Sequence, residues 1–192
     1  MGVVPEEGVA IQRLGSFQNR SQVEAVAMLS RVKWQFFGTL TFRSGRLPER
    51  VRLSMYFALM RKVCKQFRTH FKRSVWCLRL EQGEMLGRWH FHFLLTGLPR
   101  QTATTGTCFF IMDSWEKSKG GHARVRLFDP SLSGVGYTVK CLGLSDPAYV
   151  YESAKFGHEA SQLMLSDGLQ RVLKSITIRT ERTLSTLKEG GK

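Results

Sequence analysis

The stretch Glu81-Gln-Gly-Glu-Met-Leu-Gly-Arg-Trp-His90-Phe-His92-Phe-Leu-Leu95 decides how this chain folds. Val75, Trp76, Leu78 and Leu80 lead into it, and apolar residues run on behind the histidines. Two such runs around a glycine-containing polar break predict a hairpin of two strands. Alternate side chains of a strand share a face. His90 and His92 therefore point one way, and Phe91, Phe93 and Leu95 the other. A turn near Met85 and Leu86 sets Glu81 opposite His90, on the histidine face. Two imidazoles and a carboxylate then converge on one point of a sheet, a donor set that suits a divalent cation with open positions. A His-x-His pair alone also fits two half-buried histidines, or a zinc site in an all-β barrel. A cupin-type barrel would want a glutamate soon after the second histidine, where this chain has Phe93-Leu-Leu-Thr-Gly97.

On the N-terminal side, Trp34-Gln-Phe-Phe-Gly-Thr-Leu-Thr-Phe42 is aromatic and β-branched and predicts a strand over 34–42. Trp34, Phe36, Gly38, Leu40 and Phe42 share one face, while Thr39 and Thr41 lie on the other and could border a site. Before it, the capping box Ser21-Gln-Val-Glu24 predicts a helix over 21–32, and residues 1–17 read as a loose lead-in. Between this strand and the hairpin, Pro48 suits a first helical turn. Leu53, Tyr56, Phe57, Met60, Val63, Cys64, Phe67 and Phe71 then keep helical spacing to about residue 73. Arg61, Lys62, Lys65, Arg68, Lys72 and Arg73 surround that apolar stripe, either as a solvated face or as a phosphate-contacting one.

Beyond the hairpin, 97–106 reads as a loop and 107–119 as a helix stopped by Gly120-Gly121. Residues 122–128 alternate as a strand, with Arg124 and Arg126 on the face of His122. The segment Gly134-Val-Gly-Tyr137-Thr-Val-Lys140-Cys-Leu-Gly143 predicts a helix on which Tyr137 and Lys140, three apart, are neighbours. An ammonium beside a phenol favours the phenolate and makes a nucleophile with a charge partner. Residues 160–174 predict a further helix, Ile176-Thr-Ile178 suggests a fifth strand near 175–179, and the polar tail 180–192 reads as frayed.

The whole 192-residue chain is expected to form a single domain with its core over about 21–178. Lys and Arg number 29 against 15 Asp and Glu, a net charge of +14, which points to a polyanionic partner. Cys64, Cys77, Cys108 and Cys141 have no close pairing and read as reduced core thiols rather than a zinc ribbon or disulfide frame. No apolar run reaches the roughly 20 residues of a bilayer span. The acidic start (Glu6, Glu7) is unlike a secretory signal, and no Walker-type phosphate loop is present.

The order of these motifs is informative. A Gly-Thr-Leu-Thr-Phe strand is followed by Glu81-Gln-Gly, then Gly87-Arg88-Trp89-His90-Phe91-His92-Phe93-Leu94-Leu95, a tryptophan-bearing helix (Trp115), Gly121 with its strand, and Tyr137-Thr-Val-Lys140. Over about 34–143 this resembles the HUH endonucleases, and most closely the single-tyrosine rolling-circle replication initiators of small single-stranded DNA phages and plasmids. Departures are Cys141, where the family often has an aromatic residue, and the absence of the N-terminal tyrosine and third histidine of relaxases. Tyr149 and Tyr151 fall beyond Gly143, unlike the paired tyrosines of two-tyrosine initiators.

The resemblance implies an α+β fold, a mainly antiparallel five-stranded central sheet with flanking helices. It implies Mn²⁺ or Mg²⁺ held by Glu81, His90 and His92, with Tyr137 as nucleophile and Lys140 steadying negative charge. Single-stranded DNA from a replication origin, either linear or hairpinned, would lie across the sheet, with Arg88, Trp89, Arg124 and Arg126 as contacts. A monomer in the cytoplasm of a bacterial host cell is expected, away from membranes and served by a host helicase and polymerase. An HUH-type transposase, a water-using phosphoesterase and a non-catalytic nucleic-acid-binding protein remain open alternatives.

Overall fold

The histidine strand lies at the centre of the sheet, because its Phe-His-Phe-Leu-Leu run is apolar enough to be covered on both sides. In the computed structural model, which describes residues 22–45, 47–82, 88–132, 134–139 and 163–189, Phe91, Phe93, Leu94 and Leu95 are fully buried. In chain order the elements are α1 (Gln22–Leu29), β1 (Phe36–Thr41), α2 (Glu49–Gln66), β2 (Val75–Gln82), β3 (Trp89–Thr96), α3 (Thr105–Lys117), β4 (Ala123–Leu127), α4 (Gly134–Val139), β5 (Leu163–Leu165) and α5 (Asp167–Glu189). Short 3-10 turns occupy Phe71–Arg73, Arg100–Thr102 and Pro130–Leu132. The strands run in the order β4-β1-β3-β2-β5, and each neighbouring pair is antiparallel. This is the α+β architecture expected from the sequence, a five-stranded antiparallel sheet flanked by helices.

Period-two alternation divides the sheet into two faces. On one, Phe36, Leu40, Leu78, Leu80, Phe91, Phe93, Leu95 and Val125 pack against Tyr56, Met60 and Val63 of α2 and Ile111 and Trp115 of α3. On the other, Cys77, Leu94 and Leu163 meet Ala25 and Leu29 of α1, Val135 and Val139 of α4, and Leu169 and Leu173 of α5. Trp34, expected on the Phe36 face, stands ahead of β1 and belongs to this second cluster, its indole N–H donating to the Leu29 carbonyl at 2.9 Å.

Gly38 shows how tightly the first layer is packed. It pairs with Phe93 across the β1–β3 ladder, and a Cβ built on it would sit 2.3 Å from that ring. Gly38→Ala is therefore expected to cost about 1–3 kcal/mol, the usual penalty for overfilling a packed core. Urea unfolding reads this directly, and an unchanged midpoint would mean Phe93 has room to move.

The C-terminal third departs from expectation. The fifth strand is Leu163–Leu165, paired with β2, whereas 175–179 lies inside α5, which continues through the supposedly frayed tail to Glu189. Leu169, Val172, Leu173 and Ile176 face the second cluster at helical spacing, and this stripe outweighs the short Ile-Thr-Ile alternation. The Ser166 hydroxyl marks the strand-to-helix change, donating to the Ser74 carbonyl at 3.1 Å and accepting from the Leu169 amide at 3.1 Å. Among the described residues no helix is long and apolar enough to cross a membrane.

Candidate metal centre

The register of the three middle strands assembles the site. Glu81 is the direct cross-strand partner of His90, and Arg79 that of His92. From the other side, Thr41 pairs with His90 and Thr39 with His92. Two adjacent rungs of one ladder thus carry Thr41–His90–Glu81 and Thr39–His92–Arg79, all on the face opposite the Phe91 and Phe93 rings.

Glu81, His90 and His92 converge as the alternation predicts. His90 Nε2 and His92 Nε2 are 3.0 Å apart, and Glu81 Oε2 lies 3.4 Å from His92 Nε2 and 3.8 Å from His90 Nε2. Ligand atoms about 2.1 Å from one ion, at angles of 90–110°, stand roughly 3.0–3.4 Å from each other, so this spacing nearly fits a shared cation. The buried oxygen Glu81 Oε2 makes no contact shorter than those at 3.4 Å with His92 Nε2 and 3.5 Å with Arg79 Nη2, which leaves it able to take up a cation. The cluster could hold a divalent metal ion.

Surrounding groups fix the ligands in orientation and charge. His90 Nδ1 is 3.2 Å from the Arg88 carbonyl, which can only accept; a neutral His90 then carries its proton on Nδ1 and turns the Nε2 lone pair inward. His92 Nδ1 is 3.0 Å from Thr39 Oγ1, and its ring stacks on Phe37 with 6.2 Å between centroids and 10° between planes. Burial pushes the Glu81 carboxyl up, but the His92 hydrogen bond and the charges of Arg79, His92 and His90 outweigh it and hold it at about 2. Burial, followed by the neighbouring His92, lowers the His90 imidazole below its ordinary 6.5. At neutral pH the set is one carboxylate with a neutral His90, a state ready for a cation.

The sign of the pH dependence follows. Both groups have folded values below their unfolded ones, so the unfolded chain binds more protons between the two and stability rises with pH there. Metal-free protein should lose stability first as pH falls through 6.5, from His90, and again between 4.5 and about 2, from Glu81. Urea midpoints measured against pH should lose the lower phase in Glu81→Gln; an identical profile in both proteins would remove Glu81 as its source.

Thr39 is the lever on His92. Thr39→Val keeps the shape but deletes the hydroxyl, and loss of such an outer partner typically weakens metal affinity about 10–100-fold. Mn²⁺ titration of the two proteins checks this, and equal affinities would reduce Thr39 to a packing residue.

Tyr137 comes to the same place by another route. It lies on α4, which packs on the histidine face through Val135 and Val139. Its ring meets His92 edge-on at 5.1 Å and 77° while remaining 54% exposed, so the phenol stands beside the candidate ligands and is open to a large substrate. Lys140 lies outside the described residues, as do Tyr149, Tyr151 and the hairpin turn. Arg124 and Arg126 are exposed on β4 and share the site face: Arg124 pairs with Thr39, and the Arg126 guanidinium lies 5.1 Å from the Phe37 ring centroid. Arg88 is exposed next to His90. Trp89 does not join them. As an odd-numbered neighbour of Phe91 it faces the other layer, where the Arg52 guanidinium covers its ring at 4.3 Å.

Arg79 was not singled out in the sequence. It is 1% exposed, its Nη2 lies 3.5 Å from Glu81 Oε2, and its Nη1 donates to the Tyr137 carbonyl at 3.4 Å. One guanidinium thus contacts both the candidate carboxylate ligand and the helix that carries the tyrosine. The signal was there: in Val-Trp-Cys-Leu-Arg79-Leu-Glu81, Arg79 is a charge within an apolar strand, two residues from Glu81 and so on its face.

Comparison of the chain with protein-family models, with curated proteins and with solved structures gives no match. The functional reading therefore rests on the chemistry of this site and on the motif resemblance.

Proposed function

We propose that this protein nicks and rejoins single-stranded DNA through a covalent 5′-phosphotyrosine, in the manner of the HUH replication initiators, and thereby starts rolling-circle replication. The observation that carries the reading is the exposed Tyr137 phenol set edge-on against His92, within a Glu-His-His cluster. A hydrolase that activates water needs the cluster but has no use for an exposed tyrosine beside it. A simple nucleic-acid-binding protein needs neither.

A divalent cation held by Glu81, His90 and His92 would supply Lewis acidity at the scissile phosphate. Imidazole ligands favour Mn²⁺, while abundance in cells favours Mg²⁺. The chain's own residues do the rest. Arg124 and Arg126, and Arg88 beside His90, offer cations to the phosphates of a strand lying across the site face. The Tyr137 oxygen attacks phosphorus and the bond to the 3′ oxygen breaks. The phenol loses a proton and the leaving 3′ oxygen gains one, so the transfer is proton-neutral. Lys140, three residues after Tyr137 in the sequence, is assigned to steady the charge that develops. Because the phosphodiester energy is kept in the tyrosyl ester, the reverse reaction rejoins strands without ATP. Replication initiation rather than transposition is the biological use that the motif order favours.

The test is a nicking assay on labelled single-stranded oligonucleotides that include the origin of the replicon encoding the gene, run with Mn²⁺, with Mg²⁺ and with EDTA. A metal-dependent, covalently shifted protein band on a denaturing gel is expected. Cleavage without that band would mean that water is the nucleophile.

A further inference from the structure

Between Arg50 and Leu80 the chain holds nine Lys or Arg and no Asp or Glu. Arg52 and Arg79 are buried; the other seven are exposed. On α2, Arg61 and Lys65 stand at i and i+4 and so share one side, with Lys62 beside them, and Arg68 follows just past the helix end at a positive φ of 52°. The 3-10 turn continues the row with Lys72 and Arg73, and α5 adds Arg171. Two contacts make this one surface. The Arg61 guanidinium lies 5.8 Å from the Phe71 ring centroid, joining α2 to the turn, and Arg171 Nη2 donates to the Lys72 carbonyl at 2.7 Å, joining α5 to it.

None of Arg61, Lys62, Lys65, Arg68, Lys72, Arg73 and Arg171 is paired with an acid among the described residues. Like charges at i, i+3 and i, i+4 repel, so the row is unfavourable to the isolated fold and is relieved by a polyanion. It also stands apart from the candidate metal centre. The turn leads into the first residue of β2, while Glu81 lies six residues further along that strand, about 20 Å away at strand spacing.

We propose that this basic ridge is a second nucleic-acid surface, one that grips the phosphate backbone of duplex DNA while the metal-centre face works on a single strand. The choice of duplex rests on what the ridge lacks. Single-strand grooves combine cations with exposed rings on which bases stack. Here Phe67 and Phe71 are partly buried and packed on Phe110 and Phe57, and the exposed aromatic side chains of the described residues, Phe109 and Tyr137, stand on α3 and α4 rather than on α2, the turn or α5. A surface of charges whose nearest rings are half-buried, with Arg61 over Phe71 and Lys62 over Phe110, matches a partner whose bases are stacked inside and whose phosphates face outward. The inference does not depend on the nicking chemistry.

The experiment compares wild type with the triple variant Arg61→Gln, Lys65→Gln, Lys72→Gln, in EDTA so that no metal takes part. Fluorescence anisotropy reads binding to a labelled 20-base-pair duplex of arbitrary sequence, to one of its strands alone and to phosphatidylserine vesicles, across a range of salt. The variant should bind the duplex at least about tenfold more weakly at low salt, and the slope of log affinity against log salt should shrink by about 2.7 for three lost phosphate contacts. Single-strand binding should change less. Unchanged duplex affinity and slope would overturn the proposal, as would an equal loss for the single strand, or a loss confined to the vesicles. An unaltered thermal melt and Mn²⁺ titration of the variant keep the result separate from misfolding and from the fate of the nicking proposal.

Discussion

Replacing Tyr137 with phenylalanine is expected to abolish the covalent protein–DNA adduct and to lower strand cleavage by at least about 10³-fold, a conservative figure for loss of an attacking group. Little else should move, and this makes the variant informative. The contact with His92 runs through the ring, which phenylalanine retains, and the hydrogen bond from Arg79 goes to the backbone carbonyl of residue 137 rather than to its side chain. The phenol is already half open to solvent, so no buried partner is orphaned. Melting temperature and Mn²⁺ affinity should match wild type. An adduct that survives the substitution would transfer the nucleophile to another tyrosine; loss of both adduct and metal binding would show that the substitution disturbed the site as a whole.

The second large effect separates two roles of Glu81. His90→Ala removes a neutral ligand, whereas Glu81→Gln removes a ligand and also the carboxylate facing the buried Arg79 guanidinium. Both variants should lose metal affinity by about 100-fold or more and lose nicking with it. In wild type, Mn²⁺ at 100 times its dissociation constant should add about 2.7 kcal/mol to stability, and neither variant should show that gain at the same concentration. Without metal they should differ. Stranding one partner of a fully buried pair costs roughly 3–5 kcal/mol. Because the Glu81 side chain keeps 17% exposure, about 2 kcal/mol is expected for Glu81→Gln relative to His90→Ala. Denaturation in EDTA measures the difference, and equal stabilities would dismiss Arg79 as the partner of Glu81.

How much of this could be read from the sequence depends on which physical signal each residue carried. Glu81, His90 and His92 were legible because strand alternation fixes facing by parity and the polar break fixes the register. Thr39 was legible as a border residue for the same reason. Trp89 should have been excluded by that rule, since it alternates with His90 and goes with Phe91 to the α2 layer. Tyr137 is different. Nothing in its local spacing says that α4 folds onto the histidine face, and only the order of motifs suggested it. The fifth strand was beyond reach: Leu163-Met-Leu165 is too short for periodicity to separate strand from helix, and its place is set by pairing with Cys77, Leu78 and Arg79, far away in sequence.

Parity has one more consequence, for insertions and deletions. A residue added within β3 just before His92 would shift every later side chain to the opposite side of the sheet. The His92 imidazole would be driven into the aromatic layer around Tyr56, and Phe93 would be turned onto the face that carries the metal ligands. Core and chemistry are written in the same reading frame, so a one-residue slip spoils both at once, whereas a two-residue change leaves each side chain on its own face. Folding should therefore tolerate length variation in this strand only in even steps, whereas metal binding, which needs His90 and His92 on adjacent rungs, should tolerate none between them; an insertion library scored separately for folding and for metal binding would expose both rules.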